Sequence, residues 1–483
     1  MHKTSTASSL SRAGLWILLA GQLLPLMDFS IINVALAAIS ESLNASHTEL
    51  ELIVAVYGVA FAVCLALGGR LGDRYGRRLL YGYGLALFTL ASLLCGVALN
   101  VEMLLIARLL QGVGAALAVP QILAILHTRL KGERHARAIA AYGAIGGIAF
   151  ATGQVLGGAL VALDLWGLGW RLVFLINLPV GLYILWQTPR LLPEMKAEHA
   201  AGIDVPGTLL LAMIIFCLLF GLALGPALSW PWWCQIMLVG LLPLGLLLWR
   251  VERRQPWPLL SPDLLTLGSM RFGFVIALVV FASWSGFMFV MALALQSGLG
   301  FSALTSGNIF ISLGLVYFLF AMQSARFHLR LGPIKTLFVG LALVVPGLLA
   351  LVLTVNLYWP ALNAWVLLPA FCLISSGRAL IVSCFYRIGL AEVPTQAAGT
   401  GSAILSTVQQ ASLGLGTAVY GSILVAQLDR GAPYDLALNR VLLFEVVVML
   451  MMVAATWFYA WHRRKAGSLS ESHSASKDPA VES

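Results

Sequence analysis

Of the 483 residues, 60% are hydrophobic and only 10% are charged, against about 25% charged in soluble domains. That balance excludes a water-soluble enzyme or binding module and leaves an integral membrane protein. The net charge of +9 does not point to nucleic acid, because the basic residues gather in short loops between long apolar runs.

With no water in a bilayer core, every backbone polar group must pair internally, so the spans are helices or a closed barrel. Runs of about 20 apolar residues, rather than alternating ten-residue segments, decide for helices. Fourteen such runs are expected, centred near residues 26, 60, 90, 114, 150, 180, 215, 241, 283, 315, 345, 373, 412 and 451. The first, "AGLWILLAGQLLPLMDFSIINVALAAI", is too long for a signal-peptide core and lacks a cleavage site, so it is read as a span. Asp28 sits just past its middle, where insertion of a charge costs about 2.5–3.5 kcal/mol. On a helix, Gly21, Gln22, Pro25, Asp28 and Asn33 share one face looking into a bundle or cavity. Asp28 is therefore expected to bind a proton, a cation, or both in turn. The plainer alternative is that it pairs with an arginine or caps a kinked backbone.

The loop after span 2 reads "GRLGDRYGRR", and span 4 carries "ARLLQGVGAAL", whose Arg108, Gln111, Gly112 and Ala115 share a face. Span 5 holds two glycine pairs at i, i+4, Gly143/Gly147 and Gly153/Gly157, suited to close helix contact, with Gln154 between them. The loop after span 10, "ARFHLRLGPIK", matches the loop after span 2: Arg70 meets Arg326, Arg74 meets Arg330, and Gly76 meets Gly332, while Asp73 meets Leu329. Spans 1–6 and 9–14 thus form two parallel repeats with spans 7 and 8 between them. Repeats of this kind mark secondary transporters, which bind substrate near the midplane between halves.

Arg378, in "ISSGRALIV", is a candidate for meeting an anionic group, and Ser402, Ser406, Gln409 and Gly416 share a face of span 13. Glu445 has no polar companions on span 14 and is expected to be structural. Trp284, Phe287, Tyr317 and Tyr420 are candidate contacts for flat cations. The six cysteines form no CxxC pair and read as buried thiols. There is no metal-ligand spacing and no phosphate-binding glycine loop, so neither a metal, a cofactor nor ATP is expected. Most of the 29 lysines and arginines fall in alternate loops, which places both termini in the cytoplasm.

The chain resembles the major facilitator superfamily, and within it the fourteen-helix drug:proton antiporters, over about 450 residues. The resemblance rests on "MDFSIINVAL", "GGRLGDRYGRR", "RLLQGVGAA", "WRLVFLINLPVG", "GIDVPG" and "LQSGLGFSALTSG", which follow one another in the family's order. It departs from the family at span 5, where Gln154 follows Gly153 and the usual Gly-Pro is missing. The resemblance implies an all-α membrane fold of two six-helix halves plus two linker helices. The expected layout is a cytoplasmic tail (residues 1–12), an N-terminal half (13–190), a linker with two helices (191–255), a C-terminal half (256–462) and a disordered tail (463–483).

The resemblance further implies a proton-coupled exporter of hydrophobic, cationic compounds, and no enzyme. Asp28 and Arg108 would couple proton to substrate. Gly69, Asp73, Gly76 and Arg77 would form a cytoplasmic gate loop that latches the outward-facing state. Asn33, Gln111, Gln154, Trp284, Arg378, Ser406 and Gln409 would be cavity candidates. The expected setting is a bacterial inner membrane, with the chain working as a monomer on small molecules and protons. A carrier of an endogenous metabolite or organic anion is the alternative on the same fold, and a membrane sensor is the alternative outside transport.

Overall fold

The computed structural model describes residues 10–195, 202, 204–227, 230–394 and 397–475, and these residues contain helices and no strand. Twelve helices among them are long and apolar enough to cross a membrane. One, Ala303–Tyr358, has 56 residues and is broken at Gly332, so it supplies two limbs. A further helix, Gly132–Leu163, has 32 residues. This arrangement is consistent with the expected fourteen spans.

In chain order the N-terminal bundle holds α1 (Arg12–Leu43), α2 (His47–Tyr75), α3 (Arg77–Gly96), α4 (Val101–Arg129), α5 (Gly132–Leu163) and α6 (Gly169–Leu191). Between the bundles lie α7 (Val205–Ala227) and α8 (Trp232–Glu252). The C-terminal bundle holds α9 (Gly268–Gly298), α10 (303–331), α11 (333–358), α12 (Ala364–Gly389), α13 (Ala398–Leu428) and α14 (Tyr434–Ala475). α14 stays helical past residue 462, where the apolar pattern ends, and residues 476–483 lie outside the described residues.

The ends of the helices are set by local chemistry. Ser11, Ser46, Asn100, Ser302 and Asn363 each accept a backbone N–H from the first turn that follows, which satisfies a donor the helix cannot pair internally. Ser46 and Glu49 do so reciprocally, as a capping box. Gly76 (φ 115°) and Gly332 (φ 76°) break the chain at the matching turn of each repeat. Both adopt a backbone conformation that side chains disfavour. The paired glycines of the two loops are therefore the same device used twice.

Each bundle is packed through small residues. A side chain at Gly114 of α4 would stand 2.5 Å from the Phe88 nitrogen and 2.8 Å from the Gly84 oxygen of α3. The halves meet at the end remote from the basic loops. There, a side chain at Gly58 of α2 would stand 3.3 Å from the Gly414 Cα of α13, and one at Gly307 of α10 would stand 2.6 Å from the Gln154 oxygen of α5. α7 lies along the α2–α13 seam, with Ile215 and Leu219 packed on Val59 and Ala62, and with Ala411 and Leu415 beside them. At the basic end, Arg134 donates to the Leu10 oxygen and Arg463 pairs with Glu392 (3.9 Å), so α1 begins and the apolar part of α14 ends on the same side.

The α3–α4 crossing gives a direct test. Gly114→Val is expected to lower the stability of the detergent-solubilised protein by at least about 1–3 kcal/mol, the usual cost of overpacking. Gly82→Ala, whose Cβ would meet nothing within 4 Å, should leave the apparent Tm unchanged or raise it.

Candidate functional site

Asp28 and Arg108 are both 0% exposed and form an ion pair. Asp28 is brought there by α1, a long helix with Pro25 inside it and most of its residues buried. The Tyr57 hydroxyl donates to the Pro25 oxygen (2.9 Å), tying α2 to α1 one turn before the acid. Gln111, one turn after Arg108 on α4, donates to Asp28 Oδ1 (2.8 Å) and accepts from Arg108 Nη1 (2.7 Å). Asn177 of α6 also donates to Asp28 Oδ1 (2.8 Å). Ser92 of α3 accepts from both amides, at 2.8 Å from Gln111 and 3.3 Å from Asn177. Arg108 Nε donates to the Ile53 oxygen of α2 (3.2 Å), and its guanidinium lies 4.4 Å from the centre of the Tyr57 ring.

The network thus joins α1, α2, α3, α4 and α6. Asp28 lies inside the N-terminal bundle, hydrogen-bonded at both of its oxygens. Of the two readings of the sequence, the pairing of the acid with an arginine is the one seen here.

The C-terminal bundle holds a second ion pair, between Arg378 of α12 (1% exposed) and Glu445 of α14 (0%). Ser283 of α9 donates to Glu445 Oε1 (2.6 Å) and accepts from Arg378 Nη2 (2.8 Å). The Trp284 ring centre lies 5.0 Å from the Arg378 guanidinium and 5.8 Å from the Tyr317 ring. Glu445, expected to be structural because its own span offers no polar companions, finds its partners on other helices.

The remaining candidates are dispersed. Ser406 and Gln409 of α13 both bind the Tyr386 hydroxyl of α12, at 2.7 and 2.9 Å. Gln154 sits in the α5–α10 contact, buried, with neither amide atom bonded among the described residues, and the Asn33 Oδ1 is likewise unbonded. Three buried acids were not singled out from the sequence: Asp204 and Glu252, beside the inserted helices, and Glu51, which lies in the second turn of α2, is 2% exposed and packs where α2 meets Gly421 of α13. Its place so near the end of a span hid it. Asn177 was equally visible as the one amide in "FLINLPVG", but only the fold shows that it faces Asp28.

The gate loop is held locally. Asp73 accepts from Arg77 Nε (3.0 Å) and Nη2 (2.7 Å), and Arg77 continues to the Ala124 oxygen and Thr128 of α4, each at 2.8 Å. Gly69 faces Pro120 of α4. Arg70 reaches instead to the segments flanking the inserted helices, donating to the oxygens of Gly202 (3.1 Å) and Pro258. Burial pushes the pKa of Arg70 below its ordinary value, and the nearby acids Asp204, Glu252 and Asp73 oppose that shift.

A sequence model of the family described as the Major Facilitator Superfamily matches residues 18–417. The chain is 36% identical over 424 residues to a protein named probable actinorhodin transporter from Streptomyces coelicolor, covering 85% of this chain and 72% of that one. It is 31% identical over 487 residues to puromycin resistance protein pur8 from Streptomyces alboniger, covering 97% and 94%. In fold it is similar to an auto-inhibited POT family peptide transporter (TM-score 0.64, 16% identity, covering 91% of this chain and 96% of that one). A bacterial homologue of the lysosomal transporter Spinster matches comparably (TM-score 0.62, 15% identity, covering 92% and 96%).

The buried pair predicts an unequal response to mutation. Arg108→Met leaves the Asp28 charge buried without its counterion and should cost about 3–5 kcal/mol, whereas Asp28→Leu/Arg108→Met removes both charges and should recover most of that loss. Thermal unfolding of the purified variants in detergent measures the difference, and equal losses would show that the two charges are not coupled.

Proposed function

The chain belongs to the Major Facilitator Superfamily, and from that membership and its buried charges we propose that it is a proton-coupled exporter of hydrophobic, cationic compounds, a carrier and not an enzyme. The observation that carries this reading is the Asp28–Arg108 network: a carboxylate and its counterion in the dry centre of a bundle that sits against the other half. An intramembrane acid is expensive to insert and marks a proton or substrate route by default. The similar proteins named for antibiotic transport, resistance or export support the reading as a drug exporter.

The cycle follows from what each partner does to the pair. A proton arriving at Asp28 cancels its charge and frees the Gln111, Asn177 and Arg108 donors to find other acceptors. A cationic substrate competes for the same negative charge. Each ligand moves the equilibrium between the two facing states only through its different affinity for them. The positive charge of the basic loops supports a cytoplasmic setting for their end of the molecule, in a bacterial inner membrane; on that reading the closely packed end, with Gly58 on Gly414 and Gly307 on Gln154, faces away from the cytoplasm. In this state Asp73 stays with Arg77. The latch role of the loop belongs to the opposite state, in which Asp73 would approach the other half. Transport by a single chain fits two halves joined by α7 and α8.

One observation weakens the metabolite reading. Arg378, the candidate for an anionic substrate, already has Glu445 as its counterion.

The test uses vesicles reconstituted with the full chain, a pH gradient and a trapped pH dye, challenged with lipophilic cations, neutral drugs and organic anions. Cation-triggered proton flux is expected in the wild type and should be abolished in Asp28→Asn, with the folding of the variant checked by its elution and Tm in detergent. Undiminished flux in a folded variant would remove Asp28 from the coupling mechanism, and flux with anions alone would favour the metabolite carrier.

A further inference from the structure

The two buried ion pairs occupy matching places in the two repeats. Arg108 and Arg378 both stand on the fourth helix of their half, α4 and α12. Asp28 and Ser283 both stand on the first, α1 and α9. Asn177 and Glu445 both stand on the sixth, α6 and α14. In each half the first and sixth helices supply one acid and one neutral polar group, and these hydrogen-bond to each other: Asn177 to Asp28 (2.8 Å) and Ser283 to Glu445 (2.6 Å). In each half the guanidinium also lies between aromatic rings, Tyr57 and Phe174 for Arg108 (4.4 and 5.8 Å), Trp284 and Phe287 for Arg378 (5.0 and 5.6 Å). The acid has changed helix while the site has stayed.

The two carboxylates differ in how fully they are bonded. Asp28 accepts at both oxygens, from Gln111 and Asn177 on Oδ1 and from Arg108 on Oδ2. Glu445 takes both of its donors, Ser283 and Arg378, on Oε1, and Oε2 has no hydrogen-bond partner among the described residues. A lone pair of an ionised carboxylate left bare in a dry interior is costly. A proton on Oε2 removes that cost without displacing any donor. The titratable groups around Glu445 are Arg378 from α12, Tyr420 from α13 and, beyond the guanidinium, Tyr317 from α10. A purely structural pair would be a poor reason to keep these charges, since apolar residues of similar volume stabilise a buried site as well or better.

We propose that Glu445 is a second exchangeable proton site, the C-terminal counterpart of the Asp28–Arg108 pair, with the proton taken on Oε2 and lost again from the same oxygen while Ser283 and Arg378 stay on Oε1. The proposal rests on the reading of the chain as a proton-coupled carrier, which it extends from one acid to two.

Infrared difference spectroscopy of the full-length protein in lipid bilayers, titrated with pH in the absence of any substrate, tests it directly. A protonated carboxyl shows a C=O stretch that disappears on ionisation. The wild type is expected to lose a component of that band as pH rises, and Glu445→Gln should lack this component while keeping the one assigned to Asp28. A titration spectrum unchanged by Glu445→Gln would overturn the proposal. If Glu445→Gln does not fold, Ser283→Asp/Glu445→Asn rebuilds the N-terminal arrangement in the C-terminal half. A titrating aspartate in that variant supports the proposal, and its absence overturns it. The same experiment on Asp28→Asn reads the first site separately, so a silent Asp28 would count against the coupling mechanism above and leave the result for Glu445 standing.

Discussion

A charge inside a bilayer must bring its own solvent. Water is absent, so each ion needs a counterion and hydrogen-bond donors or acceptors supplied by neighbouring helices, and those helices are then bound to one another. The Asp28–Arg108 cluster satisfies this requirement by drawing on five helices of the N-terminal bundle. Arg378 and Glu445 do the same with α9, α12 and α14. Much of the internal order of each half can be traced to the need to pay for one pair of charges.

The contact between halves is of another kind. The approaches described there are of backbone to glycine: Gly58 to Gly414, Gly158 to Ala303, Gly307 to Gln154. Such surfaces gain dispersion energy when closed and strand no ion when opened. The molecule therefore keeps its two buried ion pairs inside the bundles and brings the halves together largely through small residues, with Glu51 an acid buried where α2 meets Gly421 of α13. That division is what a rocking carrier requires, because the halves can separate as bodies without breaking the networks that hold them. α7 fits the same logic. Its apolar side chains cover the α2–α13 seam, and a seam covered by Ile215 and Leu219 can slide.

What the sequence made legible was whatever repeats along one helix or one chain. The apolar runs, the shared face containing Asp28, the pairing of Arg108 with Gln111, and the match of Gly76 with Gly332 are all of that type, and the last proved to be two breaks with the same sign of φ. What it hid was whatever is completed across helices. Glu445 looked isolated because helical spacing on α14 offers it nothing. Its partners lie on α9 and α12, and no one-dimensional pattern joins them. Asn177 was hidden for the same reason. Asp73 shows the limit of a loop motif, since its residues were readable but its partner in this state, Arg77 four positions on, is a local one.

The position of the charges also constrains how a proton could move the halves. Asp28 takes its hydrogen bonds from its own half, so neutralising it would act first on the helices of that half. It shares α1 with Ser30 and Ile31, which lie against Gly153 and Gly157 of α5. Next along α5, Gln154 and Gly158 meet Gly307 and Ala303 of α10 in the other half. Loss of the Arg108 pairing would relax the tilt or rotation of α1, and α5 is too closely packed on α1 to remain where it was. Close packing would pass a small shift at the acid on to the seam, because only the short side chains of Ser30, Ile31 and Val34 stand between α1 and the glycines of α5. On the proposed coupling, the electrostatic site and the small-residue contacts would be two parts of one mechanism, the first acting on α1 and the second carrying its shift to the other half.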